Sequence, residues 1–280
     1  MIIEQKREQI VIDYQGNGLT SGKTVPYFDS FVLKNDTSAD RHPCIVVCPG
    51  GGYHFVSDRE AEPIATQFVA AGFSAFILHY SIVPAKFPCA LIELSALMKH
   101  IRENADNYQI NPNKIAVIGF SAGGHLAGSL GAYWNNADIQ SKAGVQNDEN
   151  RPNALILSYP VITGGEKAHR GSVRHLMGDD CTQEDIDTFS LEKHVTAAFP
   201  PTFLWHTAAD ASVPVENSLM MASALSAEKI PFELRIYPHG QHGLSLANEV
   251  SWEQNENLII PRVQEWMGAA ISFLKEVAFS

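Results

Sequence analysis

The sequence predicts an α/β fold, a mostly parallel central sheet with helices on both faces, and three observations carry that expectation. Short apolar runs alternate with helical stretches through most of the 280 residues, the rhythm of strand–helix–strand units. Two of these runs, Cys44–Cys48 (CIVVC) and Lys114–Ile118 (KIAVI), are almost wholly apolar and branched, as strands buried on both faces are. The second leads at once through Gly119-Phe120-Ser121-Ala122-Gly123 into a helical stretch. A chain of this length suits one large domain, residues 1–280, with a substantial core.

In chain order, Ile10–Tyr14 and Asp29–Leu33 read as short strands, and Asn35–His42 as a polar connector. Cys44–Cys48 is a central strand ending at Pro49-Gly50-Gly51-Gly52-Tyr53, and Ala61–Ala71 has helical spacing. Phe73–His79 is a strand, Tyr80–Pro88 a Pro-containing loop and Ala90–Asn104 an amphipathic helix. The Asn111-Pro112-Asn113 turn signal precedes the strand Lys114–Ile118, and His125–Tyr133 is a helix of small and apolar residues. Beyond a polar, turn-rich stretch at Ala137–Arg151 comes the strand Ala154–Tyr159, stopped by Pro160. Thr163–Phe199 breaks the rhythm: it is polar, with His169, Arg170, Arg174, His175 and an acidic cluster from Asp179 to Asp187. It reads as a cap or lid over the sheet edge, with a plain surface insertion as the alternative. Thr202–Thr207 (strand), Val215–Lys229 (helix), Phe232–Tyr237 (strand) and Pro261–Val277 (helix) complete the chain.

Twenty basic against 31 acidic residues leave a formal charge of −11, which argues against a nucleic-acid partner or an anionic membrane surface. No apolar run reaches the length of a membrane span, and the N-terminus carries no secretory signal, so a cytoplasmic location is expected. Cys44, Cys48, Cys89 and Cys181 have no CxxC spacing, and the first two are expected to pack as small hydrophobes. No His, Cys and carboxylate set has metal-ligand spacing, so neither metal nor other cofactor is expected.

A serine between a strand and a helix in Gly-x-Ser-x-Gly sits on a strained turn that lifts Oγ above the sheet edge, so Ser121 is the candidate nucleophile. A serine hydroxyl needs a base, and the base an orienting acid. Asp210 follows the strand Thr202–Thr207, and His242 follows Phe232–Tyr237, where such partners belong. Glu216 is the fallback acid and His239 the competing histidine; His79 and His206 read as structural. Donors for an oxyanion are expected from the Ala122 N–H and from Gly51 or Gly52. Tyr53 and His54, just past the glycines, are candidates to line the acyl or alcohol side, with loop packing as the other reading.

With PGGGY, GFSAGGHLAG, HTAADASVP and YPHGQHG in that order, the chain resembles the α/β-hydrolase superfamily. Within it, the match is closest to bacterial acetylxylan-esterase-like or feruloyl-esterase-like sugar esterases. Two departures set it apart from the hormone-sensitive-lipase subgroup: Pro49 stands before the glycines where many relatives have His, and Phe120 stands in the elbow where that subgroup typically has Asp. The Pro49 departure removes a side chain that would pin the glycine loop. The resemblance implies a serine carboxylesterase that removes acetyl or similar short acyl groups from small-molecule or oligosaccharide esters. An arylformamidase-type amidase and a small exopeptidase share the scaffold, although a propeller domain that would gate peptides is missing. A hydrolase-fold binding protein without catalysis is the reading from another class. A homo-oligomer is left open.

Overall fold

The computed structural model describes residues 2–35 and 41–280; the expected connector at Asn35–His42 lies for the most part outside them. Its continuous apolar runs form the centre of a sheet, because only there are both faces of a strand covered. The strands are β1 (Ile2–Gln9), β2 (Tyr27–Lys34), β3 (His42–Cys48), β4 (Ser74–His79), β5 (Ile110–Phe120), β6 (Ala154–Ser158), β7 (Thr202–Thr207) and β8 (Phe232–Tyr237). They lie in the order β1-β2-β4-β3-β5-β6-β7-β8. β1 pairs with β2, and β2 with β4, antiparallel; every other neighbouring pair is parallel.

Helices α1 (Glu62–Ala70), α2 (Cys89–Glu103), α3 (Ala105–Tyr108), α4 (Ala122–Tyr133) and α5 (Ala137–Lys142) fall in the first half. They are followed by α6 (Arg170–Met177), α7 (Gln183–Phe189), α8 (Glu216–Ala227), α9 (Pro261–Gln264) and α10 (Trp266–Phe273). Successive strand residues face opposite sides, so the sheet divides the core in two. Val46, Val117 and Leu157 pack with Leu94 of α2 and with Leu126 and Leu130 of α4. Ile45, Ile118 and Ile156 pack on the other side with Phe68 of α1 and Trp266 and Phe273 of α10. Cys44 and Cys48 lie wholly within the first of these layers. All four cysteines are free thiols. No helix among the described residues is long and apolar enough to cross a membrane.

Four expectations are corrected. Ile10–Tyr14 is not a strand; the first strand is β1, upstream of it. Most of the side chains of β1 are exposed, so it carries no apolar alternation to read, whereas Ile10 is buried as a plug at the strand end. Asn111–Asn113 lies inside β5, at a break in its register against β3 between His42 and Cys44, so the turn-forming residues make an irregularity and not a strand end. The polar stretch 137–151 contains the helix α5, whose N-cap is the Asn136 side chain accepting from the N–H groups of Asp138 and Ile139. The closing helix is interrupted at Glu265, which keeps helical dihedrals (φ −64°, ψ −16°), and ends in a π turn at Leu274–Ala278.

The 163–199 excursion holds α6, α7 and a 3₁₀ turn at Leu191–Lys193. Much of its acidic cluster is used locally: Asp185 forms a capping box with Thr182, and Asp187 pairs with Lys193. The excursion is tied to the body through His125 of α4, whose Nε2–H donates to the Phe189 carbonyl (2.9 Å). That leaves Nδ1 to accept the Tyr53 hydroxyl (2.8 Å). Burial pushes the His125 imidazole down to about 4, with the Phe189 carbonyl acting weakly the other way.

A histidine depressed in the folded state binds its proton more tightly when unfolded. Its contribution is therefore complete above about pH 6.5 and is lost as pH falls toward 4, a loss on the order of 3 kcal/mol. Urea unfolding at pH 7.5 and pH 5 should show a smaller acid destabilisation in His125→Gln than in the parent. Equal losses in the two proteins would rule out this histidine as the source.

Candidate active site

β5 runs directly into α4 with a single residue between them, Ser121, at φ 52° and ψ −117°. A side chain in this left-handed region is strained, and the neighbours hold it there. The Ser121 N–H donates to the Ser158 carbonyl (3.0 Å), and its own carbonyl accepts from the N–H groups of Val161 (3.0 Å) and His125 (3.1 Å). Two glycines make the turn sterically feasible. A Cβ at Gly119 would lie 2.0 Å from the Gly123 carbonyl oxygen, and one at Gly123 would lie 2.1 Å from that of Cys48. Only hydrogen fits at either position.

The loops after β7 and β8 meet this serine. His242 Nε2 lies 2.8 Å from Ser121 Oγ, and His242 Nδ1 lies 2.7 Å from Asp210 Oδ2. Asp210 Oδ1 accepts the N–H groups of Ser212 and Val213, both at 2.9 Å. Burial alone would raise the Asp210 carboxyl, but hydrogen bonds from His206 and His242, the nearby His242 charge and the Val213 N–H outweigh it. The group is therefore held well below the usual carboxylate range. The three residues singled out from the sequence are thus brought together. The competitors are not: His239 is exposed, and Glu216 sits at the start of α8 paired with Lys167 (3.0 Å).

Two histidines read as structural differ in their surroundings. His79 is stacked on Tyr27 and lies 3.1 Å from Asp29, at the end of β4 with β3 between it and β5. His206 is fully buried against the acid itself. Its Nε2–H donates to the Val213 carbonyl (3.0 Å), with Asp210 Oδ2 at 3.4 Å, and its Nδ1 accepts the Ser218 hydroxyl (2.8 Å).

The glycine loop lies beside the elbow. The Gly50 N–H is taken by Glu60 Oε2 (2.8 Å), and the Gly51 carbonyl accepts from His54 (2.9 Å) and Phe55 (3.2 Å). Among the described residues the N–H groups of Gly51, Gly52 and Ala122 have no protein acceptor. Glu60 also accepts the Tyr159 hydroxyl (2.6 Å). The Pro49 carbonyl accepts the Tyr80 hydroxyl (2.7 Å), and the Gly52 carbonyl accepts the His175 Nδ1–H of α6 (2.8 Å). The loop is therefore pinned from three sides although no histidine precedes the glycines. Sequence reasoning passed over these pins, because in SDREAEP the buried Glu60 looks like any acidic residue ahead of a helix.

Ser121 and His242 open into a cleft of about 440 Å³. Its walls include the glycine loop, His54, Phe55, Ser57 and Ser212, and from the excursion His169 and His175. His54 lines the cleft, stacked on His175 with ring centres 5.2 Å apart. Tyr53 does not: its side chain is buried beneath the loop, with its hydroxyl on His125, which corrects the expectation of a substrate contact. The His169 Nδ1 caps α6 by accepting the Ser172 N–H (3.3 Å), so its hydrogen sits on Nε2, at the cleft. Burial lowers the His169 imidazole, and His242 and His175 lower it further, which keeps that ring a neutral donor.

Comparison with known proteins agrees with this architecture. The family model described as BD-FAE matches residues 31–225. The chain is 39% identical to endo-1,4-beta-xylanase B of Butyrivibrio fibrisolvens over 254 residues, 88% of this chain and 39% of that protein. It is 27% identical to an acetylxylan esterase of Xylanibacter ruminicola over 229 residues, 80% of this chain and 45% of that protein. It therefore spans less than half the length of these curated relatives. Among solved structures, the acetyl ester-xyloside bifunctional hydrolase of Caldicellulosiruptor lactoaceticus superposes with a TM-score of 0.83 at 35% identity, over 98% of this chain and 97% of that one. A carboxylesterase of Lactobacillus plantarum gives 0.82 at 26% identity, over 100% and 98%. With an eight-stranded, mostly parallel sheet, a serine elbow and a family match across most of its length, the chain belongs to the BD-FAE family of the α/β-hydrolase superfamily.

Proposed function

We propose that the protein is a serine carboxylesterase that removes short acyl groups, acetyl foremost, from hydroxylated sugars or oligosaccharides. The observation that carries this reading is the unbroken chain Ser121–His242–Asp210, at 2.8 and 2.7 Å, facing a cleft into which His54, His169, His175 and Ser212 bring polar side chains. The protein is a hydrolase of ester bonds, as its relatives named esterases are. His242 takes the proton as Ser121 Oγ attacks the ester carbonyl, and Asp210 holds the imidazole tautomer and stabilises its charged form. The N–H of Ala122 and those of Gly51 and Gly52 receive the negative charge of the tetrahedral intermediate. His242 then returns the proton to the leaving alcohol, an acyl-enzyme remains on Ser121, and water attacks it by the same route in reverse.

The alcohol side supports a sugar in preference to a lipid. Among the described residues the Nε2–H of His169 meets no protein acceptor, and a substrate hydroxyl is the partner such a donor suits. The 163–199 excursion acts as the cap that brings His169 and His175 over the nucleophile. The names of two relatives, acetylxylan esterase and acetyl ester-xyloside bifunctional hydrolase, support the acetyl-sugar reading.

A p-nitrophenyl ester ladder from acetate to decanoate, run beside acetylated xylo-oligosaccharides, tests the class. Acetate should be turned over fastest, acetate should be released from the oligosaccharides, and Ser121→Ala should abolish both. Cleavage of aryl formamides or peptides, with every ester untouched, would replace the esterase with an amidase. Asp210→Asn should lower kcat by about 10³–10⁴-fold with KM little changed, because the imidazole then settles in the wrong tautomer. His169→Ala should raise KM for the acetylated oligosaccharide by about tenfold and leave p-nitrophenyl acetate nearly unaffected. Parallel losses on both substrates would assign His169 to cap structure instead.

A further inference from the structure

Glu60 stands at the junction of two segments that the reaction needs in register but that come from distant parts of the chain. One carboxylate oxygen accepts the Gly50 N–H (2.8 Å), the other the Tyr159 hydroxyl (2.6 Å). The side chain borders the cleft but is buried, and each of its oxygens already accepts a hydrogen bond. Its effect must pass through its partners.

The first partner is the oxyanion loop. With the Gly50 N–H fixed on Glu60, the Gly51 and Gly52 N–H groups that follow meet no protein acceptor among the described residues. The loop is wedged as well as bonded: a Cβ at Gly50 would lie 2.7 Å from Glu60 Oε2, 2.8 Å from the Phe120 carbonyl oxygen and 3.1 Å from Ser121 Cβ. A shift of Glu60 therefore moves the donors relative to the nucleophile.

The second partner leads to the base. The Tyr159 hydroxyl, while donating to Glu60, accepts the Ser245 N–H (3.0 Å) from the loop that carries His242. The Tyr159 ring stands edge-on to the His242 ring, with centres 5.1 Å apart. Burial, with Glu60 beside it, raises the Tyr159 phenol well above its ordinary value, so the hydroxyl remains a donor. The neighbouring Arg59 stitches the same two loops together. Its guanidinium donates to the carbonyls of Gly243 (2.5 Å) and Ser251 (2.7 Å), and its carbonyl accepts the Ser245 hydroxyl (2.6 Å).

From this connectivity we infer that Glu60 is a positioning residue for catalysis, a single buried carboxylate that sets the oxyanion donors and the base loop at fixed spacing around Ser121. Besides pinning the glycine loop, it reaches the other side of the site through Tyr159. The inference rests on the hydrolase mechanism proposed above. A carboxamide cannot reproduce both bonds: its oxygen can serve Gly50, but its NH₂ group can then only donate to the Tyr159 oxygen, which leaves the phenol hydrogen without its acceptor.

The test measures p-nitrophenyl acetate kinetics and the rate of fluorophosphonate labelling of Ser121 in the parent, Glu60→Gln, Tyr159→Phe and the double variant. All rates are expressed per labelled site, so that unfolded protein does not count. Glu60→Gln should lower kcat by about 10–100-fold with KM within about threefold, because misplaced donors act on the transition state. Tyr159→Phe should give a several-fold loss, and the double variant should be little worse than Glu60→Gln alone, since both break one connection. A kcat per site within about twofold of the parent in Glu60→Gln, whatever its melting temperature, would overturn the inference. If Glu60→Gln does not fold, Tyr159→Phe decides, with an unchanged kcat per site as the overturning result. A parent that is labelled but cleaves no ester would remove the esterase reading alone; the labelling rates must then show the same ordering or the inference falls. A parent that is not labelled would remove both.

Discussion

The steric constraint at the β5–α4 junction is the condition on which the site depends. Ser121 is held at positive φ because β5 must pass into α4 within one residue, with β3 and β6 on either side. The strain is tolerable because the crowding is taken up by glycines, Gly119 against Gly123 and Gly123 against the end of β3. The same closeness brings the end of β3, and so the glycine loop, to the nucleophile. A site assembled from four loops becomes rigid because its centre is a turn with no slack.

Around that turn the polar groups form a continuous network. Asp210 is charged and buried, which would be costly alone, but it accepts from two backbone N–H groups and His242, with His206 packed beside it. Glu60 is satisfied in the same manner from the opposite side, by Gly50 and Tyr159. Each carboxylate is thus paid for by bonds that also fix a loop. In a low-dielectric interior such bonds resist distortion, which suits groups that must not reorganise as charge develops on a substrate.

The excursion at 163–199 is bound to the body by directed polar contacts and not by apolar packing alone. His175 is anchored on the Gly52 carbonyl, and His125 holds the Phe189 carbonyl. These attachments join the wall of the cleft to the oxyanion loop and to the elbow helix. The shape of the cleft wall and the geometry around Ser121 are therefore mechanically linked.

The sequence by itself determined the parallel core and the chain order of the three candidate residues, Ser121, Asp210 and His242. Buried strands announce themselves as continuous branched runs, and a strand–Gly-x-Ser-x-Gly–helix junction is a local steric pattern. Asp210 and His242 were legible because each follows a strand end by a few residues. β1 was not legible, since a solvated edge strand has no apolar alternation, nor was the break at Glu265, where the dihedrals stay helical. Only the tertiary structure decided what Tyr53, Glu60, Tyr159 and His206 do. Their roles arise from contacts between residues far apart in the chain: 99 positions separate Glu60 from Tyr159, and 72 separate Tyr53 from His125. A buried tyrosine and a substrate-facing one look alike after a glycine loop; the direction of the side chain is set by packing, which no local pattern encodes.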